Sequence, residues 1–181
     1  MNLIFKGEYL NGKRWEGRGY DKNGINFEIK NGKGKGKGKI YNIYSQLEFE
    51  GEFLNGEKNG KGKEYEKGKL KFEGEYLNGK RWNGKGLEYI NGILIFEGEY
   101  LNGRRNGKVK EYYYNSKLKF EGEYLKGEKN GQGREYYKNG NLEFKGEYLK
   151  GKRNGKGKEY YSTGRFKLKG EYLNGKLIKK Y

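Results

Sequence analysis

The sequence contains no cysteine, no histidine and no proline, and Asp21 is its single aspartate. Without cysteine the chain has no disulfide, no thiolate metal site and no cysteine nucleophile. A serine or threonine nucleophile needs a general base beside it, and no histidine is present to serve as that base. We therefore predict a protein that is not an enzyme and that needs neither a cofactor nor a metal ion.

Apolar residues are also scarce. Only 31% of the residues are hydrophobic, and no stretch approaches the ~18 consecutive apolar residues that indicate a membrane-spanning helix. The first residues lack the basic segment and apolar run of a signal peptide. These absences favour a cytoplasmic protein, with a peripheral position at a membrane as the alternative. Low hydropathy with high net charge is also typical of disorder, but the aromatic residues, 17% of the chain, recur in order.

Positive charge is in excess. Lysine and arginine number 41 against 24 acidic residues, which gives a formal net charge of +17. This balance favours anionic partners such as lipid headgroups, nucleic acid or acidic protein segments. An equally good interpretation is that lysine keeps the exposed edges of a β-protein soluble and unpaired.

One short sequence repeats along the chain. Gly-Glu-Tyr-Leu begins at Gly74, Gly98, Gly122 and Gly146, an interval of 24 residues. Such a period predicts a repeat architecture, here a single array over residues 1–181. The second unit is degenerate, with Lys-Gly alternation. The predicted units are 5–26, 27–48, 49–71, 72–95, 96–119, 120–143 and 144–167, with a half unit at 168–181.

Each unit has the pattern of two strands. From Phe144 to Leu149, aromatic residues and glycine alternate with mainly charged residues, which is the period of a β-strand with one aromatic face. Gly and Asn between the segments favour tight turns. Glycines inside the strands are expected to lie under aromatic rings from a neighbouring strand. We predict an all-β fold: an elongated, single-layer antiparallel meander of tandem hairpins with about 15 strands.

The pattern aromatic-x-Gly-Glu-aromatic-x-Asn-Gly-Lys-Arg-x-Gly-x-Gly, seen at 72–86 and 144–157, resembles the MORN repeat family, including its bacterial antitoxin-like variants. The resemblance implies an extended sheet with a groove along one face and a role in tethering or protein recognition. It also implies phosphoinositide binding, as proposed for several members. The chain departs from the family pattern by an additional residue beside several tyrosine pairs, and by Trp15 and Trp82, which are expected to lengthen two hairpin loops.

The aromatic row is the first candidate site. A single-layer sheet would leave one side of its rings open, and an exposed apolar strip of that length indicates a binding surface. The alternative is that the rings only cover glycine backbone and each other. The predicted partner-binding groove consists of Tyr76, Tyr100, Tyr124, Tyr148, Phe72, Phe96, Phe120 and Phe144.

A basic ladder is the second candidate site. Basic residues follow the Asn-Gly and Lys-Gly turns, so loops at equivalent positions would align them along one edge. This ladder could bind an anionic ligand, or it could consist of solvated turns. The predicted residues are Lys80, Arg81, Arg104, Arg105, Lys129, Lys152 and Arg153.

The leading functional hypothesis is a non-catalytic scaffold that binds a partner protein through the aromatic groove. The second is a peripheral membrane tether that binds anionic phospholipid or phosphoinositide through the basic ladder. Binding of single-stranded nucleic acid is a distant third, because glutamate in every unit would repel phosphate. Homo-oligomers could form by end or edge pairing.

Overall fold

The computed structural model describes residues 4–10, 12–21, 24–29 and 35–181. These residues form sixteen β-strands and no helix. The strands are β1 (Ile4–Leu10), β2 (Lys13–Asp21), β3 (Gly24–Ile29), β4 (Lys35–Tyr41), β5 (Leu47–Leu54), β6 (Glu57–Glu66), β7 (Lys69–Leu77), β8 (Lys80–Ile90), β9 (Ile93–Leu101), β10 (Arg104–Tyr112), β11 (Leu118–Leu125), β12 (Glu128–Tyr136), β13 (Leu142–Leu149), β14 (Lys152–Tyr160), β15 (Phe166–Leu173) and β16 (Lys176–Lys180).

Neighbouring strands pair in the order of the chain. Strands β1, β2 and β3 form one sheet, and β4 to β16 follow one another in a sheet of thirteen strands. The pairs are antiparallel, as in β12 with β13 and β13 with β14. The predicted all-β antiparallel meander of hairpins is confirmed.

The chain divides into two compact units, Met1–Lys85 and Gly86–Tyr181, and the division falls within β8. The first unit contains β1 to β7 and the start of β8. The second contains the rest of β8 and β9 to β16. The degenerate repeat predicted at 27–48 lies partly outside the described residues. The repeat boundaries given by the sequence stay predictions.

Tight two-residue turns close the hairpins within the repeats. Asn102 and Gly103 have φ of 51° and 74°, and positive φ at both central residues is the geometry of a type I′ turn, which asparagine and glycine favour. The turn at Asn78-Gly79 has the same form, and β8 begins directly after it. The predicted longer loop at Trp82 is therefore wrong. Trp82 lies inside β8, an eleven-residue strand that takes up the additional residue.

Longer loops follow β4, β10, β12 and β14, and several carry the additional residue beside a tyrosine pair, whereas two-residue turns follow β6 and β8. In the loop after β12, the N–H of Tyr137 donates to the carbonyl of Asn141 over 2.9 Å. The Tyr137 hydroxyl also donates to the Tyr160 carbonyl in the next repeat over 2.9 Å. At the opposite ends of the strands, the N–H of Gly151 donates to the carbonyl of Lys129 over 2.9 Å. The repeats that contain β12 and β14 are thus held together at both strand ends.

Aromatic rings form the core. Phe144 packs edge-on against Tyr148 of its own repeat, with 5.6 Å between ring centroids, and against Tyr172 of the next, with 5.2 Å. Burial of one such side chain contributes about 1.5–3 kcal/mol. The buried residues of the second unit are Phe96, Val109, Phe120, Tyr124, Phe144, Tyr148 and Tyr172. Those of the first unit are Phe49, Phe53, Phe72 and Tyr76.

The interior glycines make room for these rings, as the sequence predicts. A Cβ at Gly133 would lie 2.7 Å from the Phe120 ring, and one at Gly62 would lie 2.5 Å from the Phe49 ring. Val109 stands at the equivalent position in β10. The rings beside it are farther apart: the Phe96 centroid lies 6.2 Å from that of Tyr100 and 6.3 Å from that of Tyr124. A side chain at this position therefore loosens the aromatic packing.

Candidate functional site

The aromatic face is covered by basic side chains. The guanidinium carbon of Arg153 lies 4.3 Å from the ring centroid of Phe144, and the ammonium of Lys129 lies 4.1 Å from that of Phe120. A cation over an aromatic ring contributes about 0.5–2 kcal/mol. The equivalent residues of the other repeats lie over Phe49, Phe72 and Phe96 in the same way. We call this set the cation layer: Lys58, Arg81, Arg105, Lys129 and Arg153.

Carboxylates bind the cation layer from the side. Arg153 contacts Glu135 at 2.6 Å, Glu143 at 3.2 Å and Glu159 at 3.3 Å. The ammonium of Lys129 also contacts the Glu135 carboxylate, at 3.0 Å. One carboxylate thus joins the basic residues of two successive repeats.

Tyrosine hydroxyls complete this network. The Tyr76 hydroxyl donates to Glu64 over 3.0 Å, and the Tyr124 hydroxyl donates to Glu111. Tyr100 donates in the same way to Glu88. The polar end of each of these rings is therefore satisfied within the protein, and the aromatic face holds a closed layer of rings, cations and carboxylates.

The same arrangement of rings, cations and carboxylates recurs in segments that match the sequence model of a known family. The MORN repeat model matches residues 49–69, 96–116, 120–142 and 144–164. The chain carries four MORN repeats. Proteins with MORN repeats are typically scaffolds for protein or membrane binding and are generally not enzymes. No curated protein matches the chain in sequence.

Neighbouring cations lower the pKa of two carboxyl groups in the MORN repeats. Burial alone raises the pKa of the Glu135 carboxyl, but the charge of Lys129 and the hydrogen bonds from Arg153 and Lys129 outweigh it, so this pKa is lowered. Burial also raises the pKa of the Glu159 carboxyl, but the hydrogen bond and charge of Lys167 and the charge of Arg153 outweigh it, so this pKa is lowered as well. Burial raises the pKa of the Tyr172 hydroxyl to about 12. At neutral pH the Tyr172 hydroxyl is therefore neutral, and the carboxyl groups of Glu135 and Glu159 are charged.

We expect the free energy of unfolding to fall at both ends of the pH range. The folded pKa of Glu135 and Glu159 is lowered, so their stabilisation is present above the unfolded value of about 4.3 and is lost as the pH falls through the folded value. The folded pKa of Tyr172 is raised, so its contribution is present below the unfolded value of about 10 and is lost at higher pH. Urea unfolding at constant salt measures both limbs.

The control for this pH dependence is Glu135→Gln. Glutamine does not titrate, so the variant should be less stable at neutral pH and should lose less stability on acidification than the original protein. A urea midpoint that stays constant from neutral pH to about pH 3 would show that the carboxylates do not stabilise the fold.

The structure places most of the predicted groove residues in the buried aromatic core. The rings of Phe72, Phe96, Phe120 and Phe144 are at most 1% exposed, and Tyr76, Tyr124 and Tyr148 are at most 7% exposed. Tyr100 is partly buried. The expectation that one side of the rings stays open is therefore corrected: glycine backbone covers one side and the cation layer the other. A role for these residues in partner binding stays a prediction.

The seven predicted ladder residues do not form one row. They lie at the starts of strands rather than in loops, and successive strand residues point to opposite faces. Arg81, Arg105, Lys129 and Arg153 belong to the cation layer on the aromatic face. Lys80, Arg104 and Lys152 are exposed, and Lys152 pairs with Leu149 on the opposite face. Anion binding by these residues stays a prediction.

Sequence reasoning missed several members of the covering layer. It did not include Lys58 or the carboxylates Glu64, Glu88, Glu111, Glu135 and Glu159. A signal was present for the ion pairs within a repeat, since a basic residue is followed six residues later by glutamate, as in Lys129 and Glu135 or Arg153 and Glu159. The pairs between repeats, such as Arg105 with Glu88, do not have this spacing.

A row of half-exposed leucines lies on the face opposite the aromatic core. Each is the last residue of a Gly-Glu-Tyr-Leu segment, one position after a core tyrosine or Tyr100. Leu125 is 50% exposed and Leu149 is 49% exposed. We call these residues of the second unit the leucine row: Leu101, Leu125, Leu149 and Leu173. The strand alternation already placed them opposite the tyrosines, but sequence reasoning did not treat them as a site.

Two further kinds of feature, a metal-binding cluster and a membrane-spanning helix, are absent from the described residues of the chain. Among them, no three histidine, cysteine, aspartate or glutamate side chains are grouped so that they could hold a metal ion. No helix long and apolar enough to cross a membrane occurs among them.

Proposed function

We propose that this protein is a non-catalytic scaffold that binds a partner protein, and that the leucine row is its contact surface. The observation that carries this proposal is the repetition of a half-exposed leucine at one position of β9, β11, β13 and β15. An exposed apolar row on a folded protein is typical of an interaction surface.

The leucine row has the geometry of an extended contact surface. Its members lie on alternate strands, so successive leucines are about 10 Å apart. Each is held next to a hydrogen-bonded turn, which limits the conformational entropy lost on binding. Charged residues lie directly across from the leucines, with Glu128 opposite Leu125 and Lys152 opposite Leu149. Apolar side chains surrounded by polar ones are the usual composition of a protein interface.

The aromatic face supports the proposal less well than the leucine row. A partner that contacted Phe120 or Phe144, both 0% exposed, would first have to displace Lys129 or Arg153 and break their ion pairs. Removing one member of a partly buried ion pair is costly because the other charge is left without its partner. Tyr→Ser substitutions on this face would also remove core packing, so they would not separate binding from folding.

A membrane tether is the second candidate, and the exposed cations Arg104 and Lys152 favour it. Each basic residue near an anionic surface contributes about 1 kcal/mol. Four of the seven ladder residues instead lie in the cation layer. The other ladder residues, Lys80, Arg104 and Lys152, provide less positive charge for membrane binding than the sequence predicts.

The test is a peptide selection followed by affinity measurements. Peptides selected on the intact protein from a random display library are titrated against Leu125→Ser with Leu149→Ser. We expect this double variant to bind at least about tenfold more weakly, because truncating a central interface residue typically costs more than about 1 kcal/mol. Its circular dichroism spectrum should not change, since both leucines are half exposed.

The matched control is Tyr114→Ser with Phe166→Ser, which removes two exposed apolar side chains outside the row, 66% and 58% exposed. It should bind the selected peptides like the original protein. Unchanged affinity in the leucine variant would contradict the proposal. Binding to anionic vesicles, with no peptide recovered by selection, would favour the membrane tether instead.

A further inference from the structure

The leucine face also carries a line of charged residues, one on each of strands β9 to β12, that alternate in sign. In the second unit, Glu97 pairs with Lys110, Lys110 with Glu121, and Glu121 with Arg134. The Lys110 ammonium lies 3.2 Å from Glu97, and the Arg134 guanidinium lies 3.0 Å from Glu121. Opposite charges directly across from each other stabilise a sheet.

The same alternation occurs in the first unit. Lys39 contacts Glu50 at 3.4 Å, and Lys63 contacts Glu73 at 3.1 Å. In these strands the acidic member of each pair is the glutamate immediately before the glycine of the Gly-Glu-Tyr-Leu or Gly-Glu-Phe-Leu segment. Strand β1 departs from this rule, because Lys6 takes the position of the glutamate and pairs with Arg18. A further departure in the later strands therefore identifies another place where the chain differs from its own pattern.

The alternation stops at β13. Lys145 and Lys169 replace the glutamate, so Arg134 pairs with Lys145, Lys145 with Lys158, and Lys158 with Lys169. We call these four exposed residues on four successive strands the basic row: Arg134, Lys145, Lys158 and Lys169. Neighbouring strands are about 4.8 Å apart, so the row brings four cations within about 14 Å.

Like charges directly opposite each other destabilise a sheet. The basic row therefore keeps a repulsion that strands β9 to β12 avoid. A carboxylate placed between Lys145 and Lys158 would relieve it.

Tyr160, which lies beside the basic row, gives a second indication that a carboxylate is missing here. The hydroxyl of Tyr112 donates to Glu97 over 2.9 Å, and that of Tyr136 donates to Glu121 over 2.7 Å. Tyr160 is the equivalent residue of the next repeat, and Lys145 stands in the place of the acceptor. An ammonium group cannot accept a hydrogen bond. This position therefore supplies ammonium groups and a hydroxyl donor but no carboxylate.

We propose that the basic row docks an acidic segment of the partner protein, whose carboxylates take the places that Glu97 and Glu121 hold in the preceding repeats. This inference rests on the proposed function and adds the chemistry of the partner. Two such places are separated by two strands, about 10 Å. Leu149 and Leu173 lie on the same strands and the same face as Lys145 and Lys169. The partner segment therefore combines acidic with apolar side chains.

The remaining charges on this face favour discrete carboxylates over a continuous phosphate chain. Glu147 lies between Lys145 and Leu149 on the same face of β13, and Glu171 holds the same position in β15. A phosphate backbone crossing the face would meet both carboxylates. A peptide can place its acidic residues at the basic row and its apolar residues at the leucines, so it avoids this repulsion.

The test uses Lys145→Glu with Lys169→Glu, which restores the alternation of the preceding strands. The probe is a synthetic fifteen-residue peptide of glutamate, leucine and small polar residues, and its counterpart has glutamine at every glutamate. The original protein should bind the glutamate peptide about tenfold more tightly than the glutamine peptide, less so at high salt. The restored variant should lose this preference, and its melting temperature should stay equal or rise.

The matched control is Lys85→Glu with Lys138→Glu, which changes the net charge equally at exposed positions outside the row. It should keep the preference. Equal binding of the glutamate peptide by the restored variant and the original protein would overturn the inference. An equal loss of this preference in the control variant would also overturn the inference. So would a dependence on the basic row that is seen only for binding of single-stranded RNA or anionic vesicles.

The two proposals can fail separately. If library-selected peptides require the leucine row but the glutamate peptide does not bind, the scaffold proposal stands and the acidic docking site falls. If the glutamate peptide requires the basic row but is insensitive to Leu125→Ser with Leu149→Ser, the acidic docking site stands and the leucine surface falls.

Discussion

Replacing Phe120 by alanine is expected to lower the free energy of unfolding by about 3–5 kcal/mol. The ring is 0% exposed and packs against Tyr124 and Tyr148, with centroid separations of 6.0 and 5.4 Å. Its removal leaves a cavity between the Gly133 backbone and Lys129, and it removes the ring on which the Lys129 ammonium rests. Urea unfolding followed by circular dichroism measures the loss.

Two further variants test whether the stability loss depends on the burial of the Phe120 ring. Phe166→Ala truncates a phenylalanine that is 58% exposed, and it should change stability by less than about 0.5 kcal/mol. The stability loss of Phe120→Leu should lie between those of Phe120→Ala and Phe166→Ala. Leu168 already occupies the equivalent position in the last repeat, opposite Glu159. If Phe120→Ala and Phe166→Ala cost the same, the aromatic rings are not the core.

Replacing Gly133 by valine is expected to cost about 1–3 kcal/mol through overpacking. A Cβ at this position would lie 2.7 Å from the Phe120 ring and 3.0 Å from the Tyr148 ring, before the two methyl groups are added. The wider ring separations around Val109 show the displacement that a valine requires. In β12 the rings are closer, so the same side chain has less room.

The matched control for Gly133→Val is Gln132→Val. Gln132 is the preceding residue in the same strand, and its exposed side chain lies on the opposite face. Both variants add a β-branched residue to β12, but only one of them adds it under the rings. Equal urea midpoints for the two variants would contradict the packing of rings over glycine.

The sequence was sufficient to predict the strands and which residues share a face of each strand. The alternation from Phe144 to Tyr148 placed the rings on one face, and the glycine positions indicated which backbone they cover. The leucines were placed on the other face by the same alternation. These features depend on local periodicity, which can be counted along the chain.

The covering layer was harder to predict because it depends on turn length and on the register across strands. Residues after Lys150-Gly151 were expected to be loop, but the turn has only two residues, so Lys152 and Arg153 begin β14 and point to opposite faces. The two-residue turn thus places Arg153 opposite Tyr148, and an irregularity between Gly146 and Tyr148 then brings Glu159 opposite Phe144. A register shift of this kind leaves no clear signal in the sequence, yet it decides which carboxylate lies across from each phenylalanine ring.

The basic row depends on register as well. Lys145, Lys158 and Lys169 are separated by 13 and 11 residues in the sequence, and nothing local relates them. They become neighbours only when β13, β14 and β15 are paired as the structure has them.

Hydroxyl-radical footprinting of the protein with and without a library-selected peptide tests most directly whether the aromatic face is a closed core and the leucine face the contact surface. We expect Phe120 and Phe144 to be oxidised slowly in both states, much more slowly than the exposed Phe166. Leu125 and Leu149 should be oxidised readily in the free protein and protected in the complex. Rapid oxidation of Phe120 and Phe144 in the free protein, followed by their protection by the peptide, would instead show an open aromatic groove and would contradict this account.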